Sequence, residues 1–325
     1  MASRNREKRQ KRRRRRKMKP SFRNAMLILA IIVIFGGYTG SRYYISTHMP
    51  DRLGGINAQD LQEDDSFTVT RGSAEYTVLK AGQGEAILIK KGAVEVLIDT
   101  GTKESAKKLC KRLKSEISGS LDYLILTSSS AGRLGGLKRI MKDFTVDTCI
   151  VGEMGDMKDE ISDMTVQAGA VVAGDNLAYD IGDDATVFII KPDVSSDDIR
   201  DRSLVTYFTF GETGFLALSD AGKEEISRAF GNVSACDVVV LSRNGTKEVN
   251  MAVPQKYYKY VVASASRERS MFSEDLAESL GRQDLYYTGV TGTLKFITDG
   301  TNIELDKEDV ISEKARNFRE GESGA

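Results

Sequence analysis

The sequence predicts an α/β fold in which helices cover mixed sheets, and two observations lead to it. From residue 66 onward, short runs of β period alternate with segments of helical period; layers of sheet and helix around one core satisfy such interleaving. Apolar residues make up 40% of the chain and charged residues 29%, over 325 residues. That is normal globular composition with room for one large domain or two ordinary ones.

The elements follow in chain order. The formal net charge of zero conceals segregation: residues 1–24 carry 13 Lys/Arg and one acid, Glu7, leaving 34 bases against 46 acids in the other 301 residues. Residues 25–41, AMLILAIIVIFGGYTGS, contain no charge and have the length of a short transmembrane helix. Tyr43 and Tyr44 follow as interfacial anchors, and Arg42 can snorkel. The basic block 11–19 precedes the run, so the positive-inside rule predicts a cytoplasmic tail (1–24), one membrane helix (25–45) in the bilayer of the cell membrane, and an extracytoplasmic body. Two alternatives stay open: the arginine run contacts anionic lipid or nucleic acid, or the apolar run is a cleaved signal peptide. Residues 46–70 are polar and read as a linker. An acidic body is a poor surface for duplex DNA, since phosphate contacts dominate such affinity, so nucleic acid is not the favoured partner.

Within the body, 71–308, the runs 76–79, 86–89 and 94–98 read as strands. Glu95 interrupts the third, which predicts one less buried face. Residues 103–117 form an amphipathic helix with Ala106, Leu109, Cys110, Leu113 and Ile117 on one face, so Cys110 is a core residue. A strand at 121–126 and a helix at 134–142 follow. Further strands fall at 186–190, 205–210, 215–218, 238–241, 260–263, 286–287 and 293–298, with helices at 222–230 and 273–280. The pairs Asp183-Asp184 and Asp197-Asp198 read as solvated loop residues. Residues 309–325 form a charged tail that frays. Three cysteines are too few, and odd in number, for a disulfide framework. The only histidine is His48, beside the membrane segment.

Five segments carry a resemblance. Residues 78–91 read VLKAGQGEAILIKK and lead to Asp99-Thr100-Gly101; LILTSSSAGRLGG covers 124–136; SLVTYFTFGETGFLALSD covers 203–220; DVVVLSRNGT covers 237–246; TGVTGTLKFITDG covers 288–300. Together they resemble the metallo-β-lactamase-type domain at the C-terminus of the ComEC family of DNA-uptake proteins, in order across residues 74–305. The resemblance implies a four-layer αββα sandwich with its site at one end of the sheets, where Asp99 and Asp220 emerge. Gly135-Gly136 would open a helix whose N–H groups favour anions.

The departures from that pattern lie at the metal ligands. The family's His-x-Asp-x-Asp-His-type positions fall on Ser128, Ser130, Gly132 and Arg133, and its Gly-His-His-Gly-Ser element on residues 242–246, including Arg243 and Asn244. A later histidine falls near Met271; only the bridging-type Asp220 survives. Hydroxyls, a glycine and a guanidinium do not hold zinc, so neither metal, cofactor nor catalytic residue is expected. Ser128–Ser130 have no histidine base; a Ser–Lys pair stays open. Arg133 and Arg243 either neutralise old metal-site carboxylates or line an anion pocket. The favoured function is an inactive scaffold or binding module with a protein partner outside the membrane. A hydrolase of phosphodiesters or nucleic acid with a non-standard site, and an anion or small-ligand sensor, are the alternatives. One membrane helix cannot form the channel of a full ComEC protein, so the resemblance implies ancestry of the domain, not transport.

Overall fold

The computed structural model describes residues 72–193, 195–255, 258–265, 280 and 286–306. The basic tail, the apolar run, Met271, the 309–325 tail and all of the 273–280 helix except Leu280 lie outside them. Among the described residues no helix is long and apolar enough to cross a membrane.

Two sheets form the centre. The first begins with β1 (Ala74–Val78), β2 (Ile87–Lys91) and β3 (Val94–Ile98), antiparallel in sequence order. It continues in parallel through β4 (Ser120–Leu126), β5 (Thr145–Val151) and β6 (Val171–Val172). The second sheet contains the antiparallel run β7 (Leu177–Gly182), β8 (Ala185–Ile190), β9 (Val205–Phe210) and β10 (Thr213–Ala217). Parallel strands β11 (Val238–Val240), β12 (Tyr260–Ala263) and β13 (Tyr286–Tyr287) extend it. The chain then returns to the first sheet, where β14 (Leu294–Thr298) pairs with β1 and β15 (Ile303–Leu305) closes the edge.

The inner faces meet in an aromatic and β-branched core. Tyr76 of β1 stacks on Phe215 of β10 at 4.7 Å between ring centres, and Tyr260 of β12 lies 4.9 Å from Phe296 of β14. Each such pair contributes area burial plus about 0.5–1.5 kcal/mol from ring geometry. Helices cover both outer faces. On the first sheet lie α1 (Ala106–Glu116), α2 (Ala131–Leu134), α3 (Leu137–Asp143) and α4 (Lys158–Thr165). Ala106, Leu109, Cys110 and Leu113 point inward from α1, the face its spacing predicts. On the second sheet lie α5 (Lys223–Asn232) and α6 (Lys247–Asn250); the short α7 (Thr288–Thr291) follows β13. The result is a mixed α/β two-sheet fold in four layers.

Three expectations need correction. Glu95 does not mark an open face: it is 8% exposed, and its carboxylate accepts from Ser118 N at 3.3 Å. Residues 134–142 are not one helix; Gly135-Gly136 separate α2 from α3. A Cβ on Gly136 would lie 2.2 Å from Thr100 O, so the position is glycine because another backbone packs there. Asp183-Asp184 make the β7–β8 hairpin, both in the left-handed region at φ 48° and 63°, as a two-residue turn of the type I′ kind requires. Asp198 is not merely solvated: it accepts from Arg200 N and pairs with Arg200 and Arg243.

Candidate functional site: a guanidinium among three carboxylates

Parallel pairing places the ends of β3 and β4 together, and the ends of β10 and β11 likewise. The loops that follow these strands meet at one end of the sandwich, the end where open α/β sheets place their sites. Arg133, on α2, projects into this junction and is 1% exposed. Its Nη1 lies 2.9 Å from Glu85 Oε1, its Nη2 2.9 Å from Asp220 Oδ1, and its Nε 3.8 Å from Asp99 Oδ2. Nη2 also donates to Ser219 O at 2.7 Å. The Glu85 contact is an ion pair off the donor axis, since neither Nη1 nor the Glu85 oxygens make a well-directed hydrogen bond.

Each carboxylate is held differently. Asp220 Oδ2 accepts from Ser128 Oγ at 2.8 Å and from Ser130 Oγ at 2.6 Å, while Asp220 N donates to Ser203 Oγ at 3.1 Å. Asp99, left-handed at φ 57°, accepts from Thr127 N at 2.9 Å and shares a 2.6 Å hydrogen bond with Thr127 Oγ1. Thr127 Oγ1 in turn bonds Ser219 Oγ. Ser219 is left-handed at φ 50°; its carbonyl accepts from both Arg133 Nη2 and Arg243 N. A strained Ser219 thus joins the two arginines.

One cation cannot neutralise three buried anions, and the protonation states adjust. Burial raises the Asp99 carboxyl to about 8 against the opposing pull of Arg133 and Thr127. Burial also raises Glu85, again opposed by Arg133. Burial works against the Asp220 anion too, but Arg133, Ser130 and Ser128 outweigh it and hold the group down at about 2. Burial penalises the Arg133 cation, yet Asp220, Glu85 and Asp99 raise its pKa. The permanently ionised pair at neutral pH is therefore Arg133–Asp220, with Asp99 largely protonated.

A second layer closes the mouth. Arg243, left-handed at φ 49°, donates from Nε to Asp220 O at 3.0 Å and pairs with Asp201 and Asp198. Asn244 Nδ2 donates to Gln83 O at 2.8 Å across the entrance. Gly84 and Gly132 pack backbone to backbone; a Cβ on Gly84 would lie 2.1 Å from Gly132 O.

The structure thus brings together Ser128, Ser130, Arg133, Asp220, Arg243 and Asn244, and sets Gly132 in the wall. Sequence reading missed Glu85, Thr127, Ser203, Ser219 and Asp201. Glu85 carried the one usable signal, an acid in the turn before the apolar β2. Chemically the cluster offers little. A carboxylate held at about 2 is a poor base for Ser128 or Ser130, and the hydrogen bonds of these hydroxyls involve Asp220 and backbone N–H, not a lysine. A metal does not fit the donor set: a guanidinium fills the space between the carboxylates, both Asp220 oxygens are engaged, and the described residues include no imidazole. Among the described residues no group of three or more His, Cys, Asp or Glu is arranged to hold a metal ion.

No family model matches the sequence, and no curated protein matches it. Among solved structures the chain is similar to the metallo-β-lactamase fold protein YhfI from Bacillus subtilis: 10% identity and a TM-score of 0.46 over 66% of this chain and 96% of that one. It is also similar to a HARLDQ-motif mutant of a metallo-β-lactamase from Cronobacter sakazakii, at 13% identity and TM-score 0.35 over 48% and 70%. A third is a B3 metallo-β-lactamase with an active-site glutamic acid, at 15% identity and TM-score 0.40 over 51% and 74%.

Proposed function

We propose that this chain is a membrane-tethered, extracytoplasmic domain of metallo-β-lactamase type, related to the outer domain of ComEC-like proteins, that acts as a non-catalytic scaffold or binding module. The observation that carries the reading is Arg133, buried between Glu85, Asp99 and Asp220. Catalysis in this fold class rests on a metal that lowers the pKa of bound water and polarises the scissile bond. An internal guanidinium supplies charge to the same carboxylates but, unlike a metal, cannot coordinate and acidify a water. Family ancestry is supported by the five ordered sequence segments and by the four-layer arrangement. Tethering is supported by the uncharged run 25–41 and the basic block before it. The function left to such a domain is to present its surface to a protein partner. The reading is tested by assaying the purified full chain in detergent against bis(p-nitrophenyl) phosphate and single-stranded DNA, with added zinc or manganese. The expected result is no turnover above buffer. Turnover abolished by Asp220→Asn would overturn the proposal in favour of a hydrolase with a non-standard site.

A further inference from the structure

A second concavity lies at the same end of the sandwich, apart from the closed cluster. It has a volume of about 60 Å³ and is lined by Glu153, Ala173, Lys191, Pro192, Arg202 and Leu204. Glu153, Ala173 and Lys191 follow β5, β6 and β8, so strand ends from both sheets frame it. One water needs about 10–15 Å³ of such space, so it takes a group of roughly four to six heavy atoms.

The lining has a defined charge pattern. Arg202 pairs through Nη1 with Glu153 at 2.8 Å, while its Nε is buried and makes no hydrogen bond. Lys191 makes no side-chain ion pair among the described residues; its backbone N and O are held by Asn176 and Arg228. Two cations, Lys191 and Arg202, thus line the cavity with one carboxylate, Glu153, which Arg202 already engages.

We infer that this cavity binds a small oxyanion, a phosphate or carboxylate group, which pairs with Lys191 and with the Arg202 guanidinium. The inference is independent of the non-catalytic reading, since it uses none of the clustered carboxylates. It also gives a ligand a route to that cluster. The segment that carries Arg202 carries Asp201, paired with Arg243, and Ser203, bonded to Asp220 N; Leu204 N donates to Thr127 O at 3.0 Å.

The test is calorimetric titration of the full chain in detergent with inorganic phosphate, and separately with acetate, at ionic strength held constant with chloride. The expected result is saturable binding of at least one of the two, with the dissociation constant raised about tenfold or more by Lys191→Met and by Arg202→Gln, as loss of a charge-assisted contact predicts. Binding of acetate and phosphate alike identifies a carboxylate-sized subsite; phosphate alone identifies a phosphate site. Lys191→Met breaks no ion pair among the described residues, so its effect cannot be ascribed to misfolding through Glu153. Absence of binding, or binding unchanged in both variants, as for phosphate held by the basic N-terminal residues, overturns the inference.

Discussion

Arg133 Nη2 lies 2.9 Å from Asp220 Oδ1, a buried ion pair that joins α2 to the turn after β10. Removing one member of a buried ion pair leaves the other uncompensated, at about 3–5 kcal/mol. Arg133→Met is therefore expected to lower unfolding free energy by about that amount in urea titration. Adding Asp220→Asn to it should recover part of the loss, because the stranded anion is gone.

The pH dependence of stability has a definite sign. Asp99, held at about 8 in the folded chain against about 3.9 unfolded, binds a proton in the native state and not in the unfolded state between these values. Stability therefore falls as pH rises from about 4 to 8, by up to about 1.4 kcal/mol per pH unit for one group. Asp99→Asn preserves the left-handed backbone and the Thr127 bonds, and is expected to flatten this slope. Asp220 acts oppositely: lowered to about 2, it stabilises above about pH 4, and that contribution is lost as pH falls through 2. Urea midpoints from pH 3 to 9 check both signs.

The loop junction around the cluster tolerates no added atoms. Gly84→Ala would place Cβ 2.1 Å from Gly132 O, backbone against backbone, and should cost about 2–3 kcal/mol. Gly231→Ala, in α5 with nothing within 4 Å, should instead gain about 0.5–1 kcal/mol. Thermal melts of the two variants give opposite shifts under this account.

Membrane attachment is checked by fractionation. The full chain should stay in the pellet after an alkaline carbonate wash, and a chain starting at residue 47 should appear in the supernatant. Release of the full chain by carbonate would contradict tethering.

Much of this architecture was legible because strand and helix periods are clean where one face is buried. The inward face of α1 and the ends of β3 and β10 could be read from residue spacing. β5 and α4 could not. Asp147 breaks the apolar run of β5, and α4 buries only Ile161 and Thr165, too little for a helical stripe. The site was half legible. The motif positions Ser128, Ser130, Arg133 and Asp220 do converge, but Glu85 and Ser219 join them only through tertiary pairing of loops, Ser219 standing 86 residues along the chain from Arg133 and 92 from Thr127. The left-handed backbone of Ser219 and Arg243 leaves no sequence signal, because neither is a residue type that favours it.

Under the proposed function, the Arg133 guanidinium and not a metal ion sits among Glu85, Asp99 and Asp220. The most direct test is the zinc and manganese content of the purified full chain after dialysis against trace metal. The account predicts less than about one-tenth equivalent of either, given the ligands that zinc requires. A reproducible equivalent or more, lost on Asp220→Asn, would contradict it.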